Sequence, residues 1–260
     1  MSDILDELAD SAHKRVEAGY YQYSCGEKPD SAPFSSLVEE GRQNRVIGEI
    51  KPGSPTRGRI LSKDIDPLEL GKLYSRGCVG GFSVLTDPDH FFGSLTNLAR
   101  IATLGKPTLM KDFFVDHSQI DAARRLGADA VLFIYKLFSR GITRFSLEYG
   151  IEYTHELDLE VLLETNDLSE YESALETKAD MIGINNRDLR SLEVDLSTTE
   201  NILSRAGKDR PVWSMSGISG QSDVKFLKEA GADFFLVGTA LAEAEKSEKF
   251  LQELTGVFDG

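Results

Sequence analysis

Three stretches of the chain, GADAVLFIY (127–135), KADMIGIN (178–185) and GADFFLVG (231–238), repeat one pattern. In each, a Gly or Lys, an Ala and an Asp lead into a continuous apolar run. Gly or Lys suits the end of a helix, and an unbroken apolar run is typical of a strand buried on both faces. Because a stretch with helical spacing precedes each copy, the pattern predicts a helix-to-strand unit used at least three times.

Five further apolar runs bring the strand candidates to eight. They are RVIGEIK (45–51), VGGFSVLT (79–86), PTLMKD (107–112), LEVLLET (159–165) and RPVWSMS (210–216). Successive candidates begin roughly 20 to 35 residues apart, the length of a βα unit. The gaps hold helical patterns such as SQIDAARRL (118–126) and SDVKFLKEA (222–230), each with a serine as a candidate cap.

Eight alternating units predict an α/β fold, a single closed (β/α)8 (TIM) barrel. The alternative is an open doubly wound sheet, but no G-x-G-x-x-G follows the first strand candidate, which disfavours its dinucleotide-binding form. We expect residues 45–260 to form the barrel as the catalytic domain. Residues 1–44 should form an extra N-terminal segment, with a helix over Met1–Arg15 and a lid, packed on the barrel. We expect Leu241–Leu254 to form the last helix.

The composition limits the classes of partner. A net charge of −14 disfavours unspecific nucleic-acid binding and anionic membrane surfaces. The acidic excess indicates either ordinary solubility or adaptation to a high-salt cytoplasm. Cys25 and Cys78 lie far apart, no apolar run approaches the ~20 residues of a membrane helix, and the N-terminus lacks a secretory pattern, so we expect a cytoplasmic protein. The histidines lack zinc-ligand spacing, and we predict no metal site.

Polar residues stand where the strand candidates end. Glu49 and Lys51 close the first, Lys111 the third and Glu164 the fifth; Asn185 and Arg187 follow the sixth, Ser216–Gly217 the seventh and Gly238–Thr239 the eighth. In a barrel these ends converge on the face that carries the chemistry. Two lysines and two glutamates in one partly desolvated pocket would shift one another's pKa values and allow acid and base roles near neutral pH.

Each of these residues also has a structural interpretation. The alternatives are an ion pair of Glu49 with Lys51, a surface pair of Lys111 with Asp112, a helix cap by Glu164 and a turn at Asn185–Asn186. That so many polar residues fall at the same end of different strands favours a functional site.

Glycines after the last two strand candidates, Gly217 and Gly238, stand where barrels commonly hold phosphate. Glycine lets backbone N–H groups approach an anion, although it also serves in plain tight turns. The loop PGSPTRG (52–58) is either a connector or a source of a further phosphate contact through Ser54.

An ordered set of motifs resembles the indole-3-glycerol-phosphate synthase family. The motifs are GEIKPGSPTRG (48–58), SVLTD (83–87), FFGS (91–94), LMKDF (109–113), SQIDAARRLGAD (118–129), LLETND (162–167), GINNRDL (183–189), SGIS (216–219) and FLVGTALA (235–242). The resemblance runs from about residue 45 to residue 245 in unbroken order. Each motif is modest, but the ordered combination is highly specific.

The resemblance implies a carboxy-lyase of tryptophan biosynthesis that works without a cofactor. Its substrate would be 1-(2-carboxyphenylamino)-1-deoxyribulose 5-phosphate, and its products indole-3-glycerol phosphate, carbon dioxide and water. The implied partner is this phosphorylated small molecule, with no nucleic acid, membrane or obligate protein partner.

The resemblance also implies a role for each matching residue. Lys111 would be the general acid for ring closure, Glu164 would transfer protons during dehydration, and Lys51 would hold the carboxylate and act as a possible second acid. Glu49 would orient the lysines and the substrate hydroxyls, and Asn185 would position polar groups of the substrate.

The binding residues divide into three implied groups. Arg187 would position polar groups of the substrate. The phosphate would be held by Ser54, Gly217, Gly238 and Thr239, with Ser216 close by. The anthranilate ring would lie among Phe91, Phe113, Leu132 and Leu189, for which core packing is the alternative.

Two positions depart from the family pattern. Met215 stands where the family usually has a glutamate before S-G-I, and Pro52–Gly53 replace basic residues after the first lysine, where Arg57 could compensate.

Other phosphate-binding barrels, phosphoribosylanthranilate isomerase and the tryptophan synthase α subunit, stay open as alternatives. So does a catalytically inactive binding barrel. The E-x-K of the first strand together with Lys111 favours the synthase.

Overall fold

A computed structural model describes residues 3–22, 31–39, 45–188 and 190–258. Within these residues, eight parallel strands close into a barrel in which the last strand pairs with the first. The predicted (β/α)8 barrel is therefore confirmed, and the open-sheet alternative is wrong. A short antiparallel hairpin, Gly53–Ser54 with Gly58–Arg59, occupies the loop after the first strand.

The strands and helices alternate along the chain. The barrel strands are β1 (Val46–Ile50), β2 (Gly81–Leu85), β3 (Thr108–Lys111), β4 (Ala130–Ile134), β5 (Glu160–Thr165), β6 (Met181–Asn185), β7 (Val212–Met215) and β8 (Phe234–Val237). The helices are α1 (Ile4–Glu17), α2 (Ser36–Glu39), α3 (Pro67–Arg76), α4 (Leu95–Ala102), α5 (His117–Arg125), α6 (Tyr135–Ser139), α7 (Leu147–Glu156), α8 (Leu168–Leu175), α9 (Ser197–Ala206), α10 (Gln221–Glu229), α11 (Thr239–Glu243) and α12 (Ser247–Thr255), followed by a 3-10 turn at Gly256–Phe258. Each predicted apolar run contains one of these strands.

The aspartate of the repeated pattern has a structural role that the sequence analysis did not find. Asp129 Oδ2 accepts the Thr108 N–H at 2.8 Å, and Asp233 Oδ2 accepts the Val212 N–H at 2.9 Å. Asp180 Oδ2 does the same for Val161 at 2.7 Å. These three aspartate clamps tie the start of β4, β6 and β8 to the start of the preceding strand, where a backbone donor would otherwise be left unsatisfied.

The predicted helices α5 and α10 begin one residue earlier than expected, and their predicted serine caps are wrong. Asp116 caps α5, accepting the Ser118 N–H at 2.9 Å. At α10 the N-cap is Gly220, whose N–H donates to Asp223 at 3.2 Å. A carboxylate is the stronger acceptor for free N–H groups at a helix start, and it also suits the positive end of the helix dipole.

The N-terminal elements lie at opposite ends of the barrel. Ile4, Leu5 and Leu8 of α1 face a cavity at the mouth, where the strands end. Before α2, Phe34 packs edge-on against Trp213, and its N–H donates to Glu160 at the start of β5 at 2.6 Å. Residues 23–30 and 40–44 of the predicted lid segment lie outside the described residues.

Arg15 fastens α1 to the barrel through a buried network of charges. Its Nη2 lies 3.1 Å from Asp112 Oδ1, and its Nη1 lies 3.0 Å from Asp87 Oδ2. Tyr21 donates its hydroxyl to Asp112 at 3.0 Å. The alternative that Lys111 and Asp112 form a surface pair is wrong, because Asp112 is buried and bound to Arg15 and Tyr21.

Three further observations concern the helices and the ionisable groups. The predicted last helix, Leu241–Leu254, is two helices, α11 and α12, separated at Ala244, where the backbone is extended. None of the helices that the structure describes has the length and apolar character needed to cross a membrane. The described residues also contain no group of three or more His, Cys, Asp or Glu able to hold a metal ion.

Candidate active site

A cavity opens at the mouth of the barrel and collects most of the predicted site residues. They are Glu49, Lys51, Ser54, Phe91, Lys111, Phe113, Leu132, Glu164, Asn185, Arg187, Ser216 and Thr239. Gly217 and Gly238 stand next to lining residues in the chain, and Leu189 lies outside the described residues. The cavity therefore draws on strands far apart in the sequence, because barrel closure brings their ends together.

Glu49 at the end of β1 joins the two lysines of the site. Its Oε1 lies 3.2 Å from Lys111 Nζ, and its Oε2 lies 3.4 Å from Lys51 Nζ. The Glu49 side chain is only 5% exposed, whereas both lysines remain partly open to the cavity. The ion pair proposed as a structural alternative does exist, but it lies inside the cavity.

Burial and charge act against each other in this group. Burial alone raises the pKa of Glu49, but the ammonium groups of Lys51 and Lys111 outweigh it and the net pKa lies below the usual range. Burial alone lowers the pKa of Lys111, but the carboxylates of Glu49 and Glu164 prevail and raise it. Lys111 is therefore held as an ammonium in a site with little water.

Glu164 at the end of β5 faces the same cavity. Asn185 Nδ2 donates to Glu164 Oε1 at 2.8 Å, and both residues are buried. Burial raises the pKa of Glu164 above its usual value, and attraction to Lys111 opposes this only in part. The alternative that Glu164 caps the next helix is wrong, because Asp167 caps α8.

The apolar wall of the cavity lies beside the charged groups. The rings of Phe91 and Phe113 are tilted against each other with centroids 6.0 Å apart, and Leu132 lies in the floor with 1% exposure. Leu5 and Leu8 of α1 add to this wall. Sequence reasoning missed the α1 residues, since the amphipathic pattern of a helix shows that one face is buried but not which surface covers it.

Two candidate phosphate-binding residues, Ser54 of the hairpin and Thr239 after β8, also line the cavity. Ser216 and Gly217 both have positive φ, 66° and 91°, which is a strained backbone at Ser216. A Cβ at Gly238 would overlap the Glu49 carboxylate, so glycine there makes room for the central acid. Arg57 lines the cavity and is ion-paired with Glu243 of α11.

Two neighbours of the site have roles that the sequence did not indicate. Asn186 is buried, and its Nδ2 donates to the carbonyl oxygens of Met215 at 3.0 Å and Ser216 at 3.2 Å. It therefore fixes the strained turn after β7 rather than serving as a simple turn residue. Met215 itself is fully buried, and its Sδ and Cε lie directly over Gly183 of β6, where a Cβ would overlap them.

Comparisons with known proteins identify the family of the chain. The family model "Indole-3-glycerol phosphate synthase" matches residues 5–254. The protein of that name from Acetivibrio thermocellus is 40% identical over 226 residues, covering 86% of this chain and 85% of that protein. The protein of that name from Thermoanaerobacter pseudethanolicus is 34% identical over 272 positions, covering 97% of this chain and 99% of that protein.

Similarity to solved structures extends to other barrels, but it supports the fold alone. Thiamine phosphate pyrophosphorylase from Pyrococcus furiosus superposes with a TM-score of 0.60 at 16% identity, covering 85% of this chain and 98% of that chain. Family membership rests instead on the family match and on the relatives at 34–40% identity. The chain belongs to the indole-3-glycerol phosphate synthase family, whose members are decarboxylating lyases of tryptophan biosynthesis.

Proposed function

We propose that the mouth of this barrel converts 1-(2-carboxyphenylamino)-1-deoxyribulose 5-phosphate to indole-3-glycerol phosphate, with Lys111 and Glu164 as the principal proton-transfer groups. The observation that carries this assignment is the shared cavity. Lys111 and Lys51 both contact Glu49 there, and Glu164 faces the same space.

Ring closure requires a proton donor at the ketone. The ring carbon that bears the carboxyl group attacks the ketone carbon, a carbon–carbon bond forms, and the ketone oxygen takes a proton. Carbon dioxide then leaves, and the electrons of its broken bond restore the ring. Lys111, held as an ammonium by Glu49 and Glu164, supplies the proton and stabilises the developing oxyanion.

Dehydration requires a second proton donor and an acceptor. The new hydroxyl takes a proton and leaves as water, and a proton is lost from the carbon next to the ring nitrogen. Glu164 suits this step because burial raises its pKa above the usual carboxyl value, which makes it a stronger proton acceptor for the carbon-bound proton. Asn185, bound to Glu164 Oε1, orients the carboxyl group.

The remaining residues bind the two ends of the substrate. Lys51 attracts the carboxylate before it is lost and can act as a second acid, while Arg187 positions polar groups. The ring lies among the apolar residues Phe91, Phe113, Leu132 and Leu189. The phosphate lies at the other end, held by Ser54, Thr239 and the backbone of Gly217 and Gly238, beside Ser216.

We infer two further properties. Residues 1–44 act as a helical and lid segment on the barrel of residues 45–260, since α1 supplies Leu5 and Leu8 to the cavity. The protein works in the cytoplasm without a cofactor and without a nucleic-acid or membrane partner, because lysine and glutamate supply both proton transfers and a net charge of −14 repels polyanions.

Indole fluorescence tests the function directly. Addition of the carboxyphenylamino substrate to purified protein should give a rising indole signal and stoichiometric carbon dioxide. Phosphoribosylanthranilate should remain unconverted, whereas an isomerase would consume it and form the carboxyphenylamino compound without any indole signal. If no indole forms from low salt to molar KCl, the proposed function is wrong.

A further inference from the structure

A chain of contacts leads from the Glu164–Asn185 pair away from the cavity to α6 and α8. We call it the buttress chain; its members are Glu164, Asn185, Arg187, Asn166, Glu170 and Lys136. Lys136 and Glu170 are not among the described residues that line the cavity. They would therefore act on the reaction without touching the substrate, by holding the residues between and by the effect of their charges on Glu164.

The inner half of the buttress chain fixes the Asn185 amide at both ends. Its Nδ2 donates to Glu164 Oε1 at 2.8 Å, and its Oδ1 accepts the Arg187 N–H at 3.0 Å. An amide bound on both sides cannot rotate without losing a buried hydrogen bond. The orientation of Glu164 therefore depends on where the Arg187 backbone lies.

The outer half holds that backbone in place. Asn166 Nδ2 donates to the Arg187 carbonyl oxygen at 3.1 Å, and the Asn166 N–H donates to Glu170 Oε2 at 2.9 Å. Lys136 Nζ lies 3.1 Å from Glu170 Oε1. Three successive loops at the mouth, those after β4, β5 and β6, are joined by these contacts.

The Lys136–Glu170 pair joins two helices at a cost in desolvation free energy. The side chains are only 18% and 11% exposed, so both charges lose most of their hydration. An apolar pair of similar volume would join α6 to α8 with no such loss, because buried ion pairs contribute little net stability. A partly buried pair that ends a chain leading to Glu164 fits a role in orientation better than a role in stability.

We propose that Lys136 and Glu170 are positioning residues for the reaction, holding Glu164 in its working orientation through the buttress chain. This inference rests on the proposed function. Neither residue is expected to touch the substrate.

The charges of the pair give the proposal a sharp signature. The ionisable groups that face Glu164 are Lys111 from β3, Glu49 from β1 and Glu170 from α8. Glu170 repels the Glu164 carboxylate. Lys136, which is paired with Glu170 and also attracts Asp188, is expected to weaken that repulsion because its charge is opposite. Removal of the Glu170 charge should thus lower the pKa of Glu164, and removal of the Lys136 charge should raise it.

The test compares Lys136→Met and Glu170→Gln with a matched control. Both variants should lose kcat by about tenfold or more with KM unchanged within about twofold, because misorientation affects the reacting geometry rather than binding. The limb of the pH–rate profile governed by Glu164 should move to lower pH in Glu170→Gln and to higher pH in Lys136→Met. Lys136→Arg, which keeps the charge, should restore most of the rate.

Lys178→Met is the control, because Lys178 makes the same kind of inter-element pair with Glu152 at 3.3 Å but both side chains are more than half exposed. It should leave kcat and the pH profile unchanged. If the wild type is active and Lys136→Met or Glu170→Gln behaves like Lys178→Met, the positioning role is refuted. Equal shifts of the profile in the same direction would refute it as well.

A measurement without turnover separates this inference from the proposed function. In protein labelled with carboxyl-13C glutamate, the Glu164 signal is identified by its loss in Glu164→Gln. The pKa read from that signal should fall in Glu170→Gln and rise in Lys136→Met. Absence of turnover in the wild type would refute the proposed function, whereas an unmoved Glu164 signal would refute the positioning role.

Discussion

At the strand starts, Asp129, Asp180 and Asp233 direct their carboxylates at backbone N–H groups of neighbouring strands. At the mouth, Glu49 and Glu164 direct theirs at side chains instead, two ammonium groups and an amide. The first arrangement satisfies donors of the main chain and ties two neighbouring strands together. The second gathers charged groups around a cavity.

The difference separates stability from function within one barrel. A carboxylate that accepts a backbone N–H contributes directly to the sheet, so its loss should weaken folding. A carboxylate or ammonium that faces other side chains in a cavity is available to a substrate, so its loss should weaken turnover. Substitutions at the two ends should thus have opposite effects on rate and stability.

The largest effect is expected for Lys111→Ala at the mouth. kcat should fall by about 10³-fold or more, because the donor that meets the developing oxyanion is lost. The free energy of unfolding should change by no more than about 1 kcal/mol, since Lys51 still neutralises Glu49. The rate of indole formation and the denaturant midpoint of unfolding check this: the rate should fall while the midpoint stays near that of the wild type. An unchanged rate would show that another group is the acid.

Glu164→Gln should have the next largest effect. The amide keeps the shape and a hydrogen bond with Asn185 but cannot transfer a proton, so kcat should fall about 10²- to 10³-fold. Because ring closure uses Lys111, rapid-quench analysis should show the cyclised, decarboxylated species accumulating before water is lost. Accumulation of unreacted substrate alone would place Glu164 at the earlier step.

Asp233→Ala at the strand starts should reverse the pattern. It removes the acceptor for the Val212 N–H and the partner of Lys208, whose Nζ lies 2.6 Å from Asp233 Oδ2. We expect unfolding to become easier by about 2 to 3 kcal/mol with kcat unchanged. Urea unfolding measures this change. Glu69→Ala is the control, because it removes only an exposed ion pair with Lys72. Equal denaturation midpoints for the two variants would contradict the comparison.

The smallest effect is expected at Asp3, which ties α1 over the mouth. The hydrogen bond from Arg140 holds the pKa of Asp3 at about 2, against a usual value of 3.8. The stability from this depressed pKa is present above pH 4 and is lost as the pH falls toward 2. Asp3→Asn should therefore lower the free energy of unfolding by about 1 kcal/mol at pH 7. The difference in free energy of unfolding between the variant and the wild type should shrink as the pH falls from 4 toward 2. A difference independent of pH would contradict this.

The sequence predicted the barrel because its strands are buried on both faces and appear as unbroken apolar runs. It also predicted which distant residues meet, since Glu49 and Lys111 stand at the ends of strands that the closed barrel brings to one mouth. The convergence follows from topology and needs no knowledge of side-chain packing.

What the sequence did not predict depends on packing between elements. The apolar face of α1 could have covered either end of the barrel, and only the structure places Leu5 and Leu8 at the mouth. The aspartate clamps were interpreted only as part of a helix-to-strand pattern, because a bond from a side chain to a neighbouring strand leaves no periodic signal. The cap of α5 was misassigned because Asp116 precedes the stretch of helical apolar spacing from which the helix was predicted.

The aspartate clamps also bear on how the chain folds. Each joins residues only 21, 19 or 21 positions apart, so β3–β4, β5–β6 and β7–β8 can each close as a local unit with a small loss of chain entropy. Gly80, whose N–H binds the Val46 carbonyl at 2.9 Å, holds the same place before β2 but has no carboxylate. The β1–β2 pair therefore lacks the local clamp of the other three pairs. Its amide hydrogens should exchange sooner than theirs, so that the strand that carries Glu49 and leads to Lys51 should open more easily than the clamped pairs.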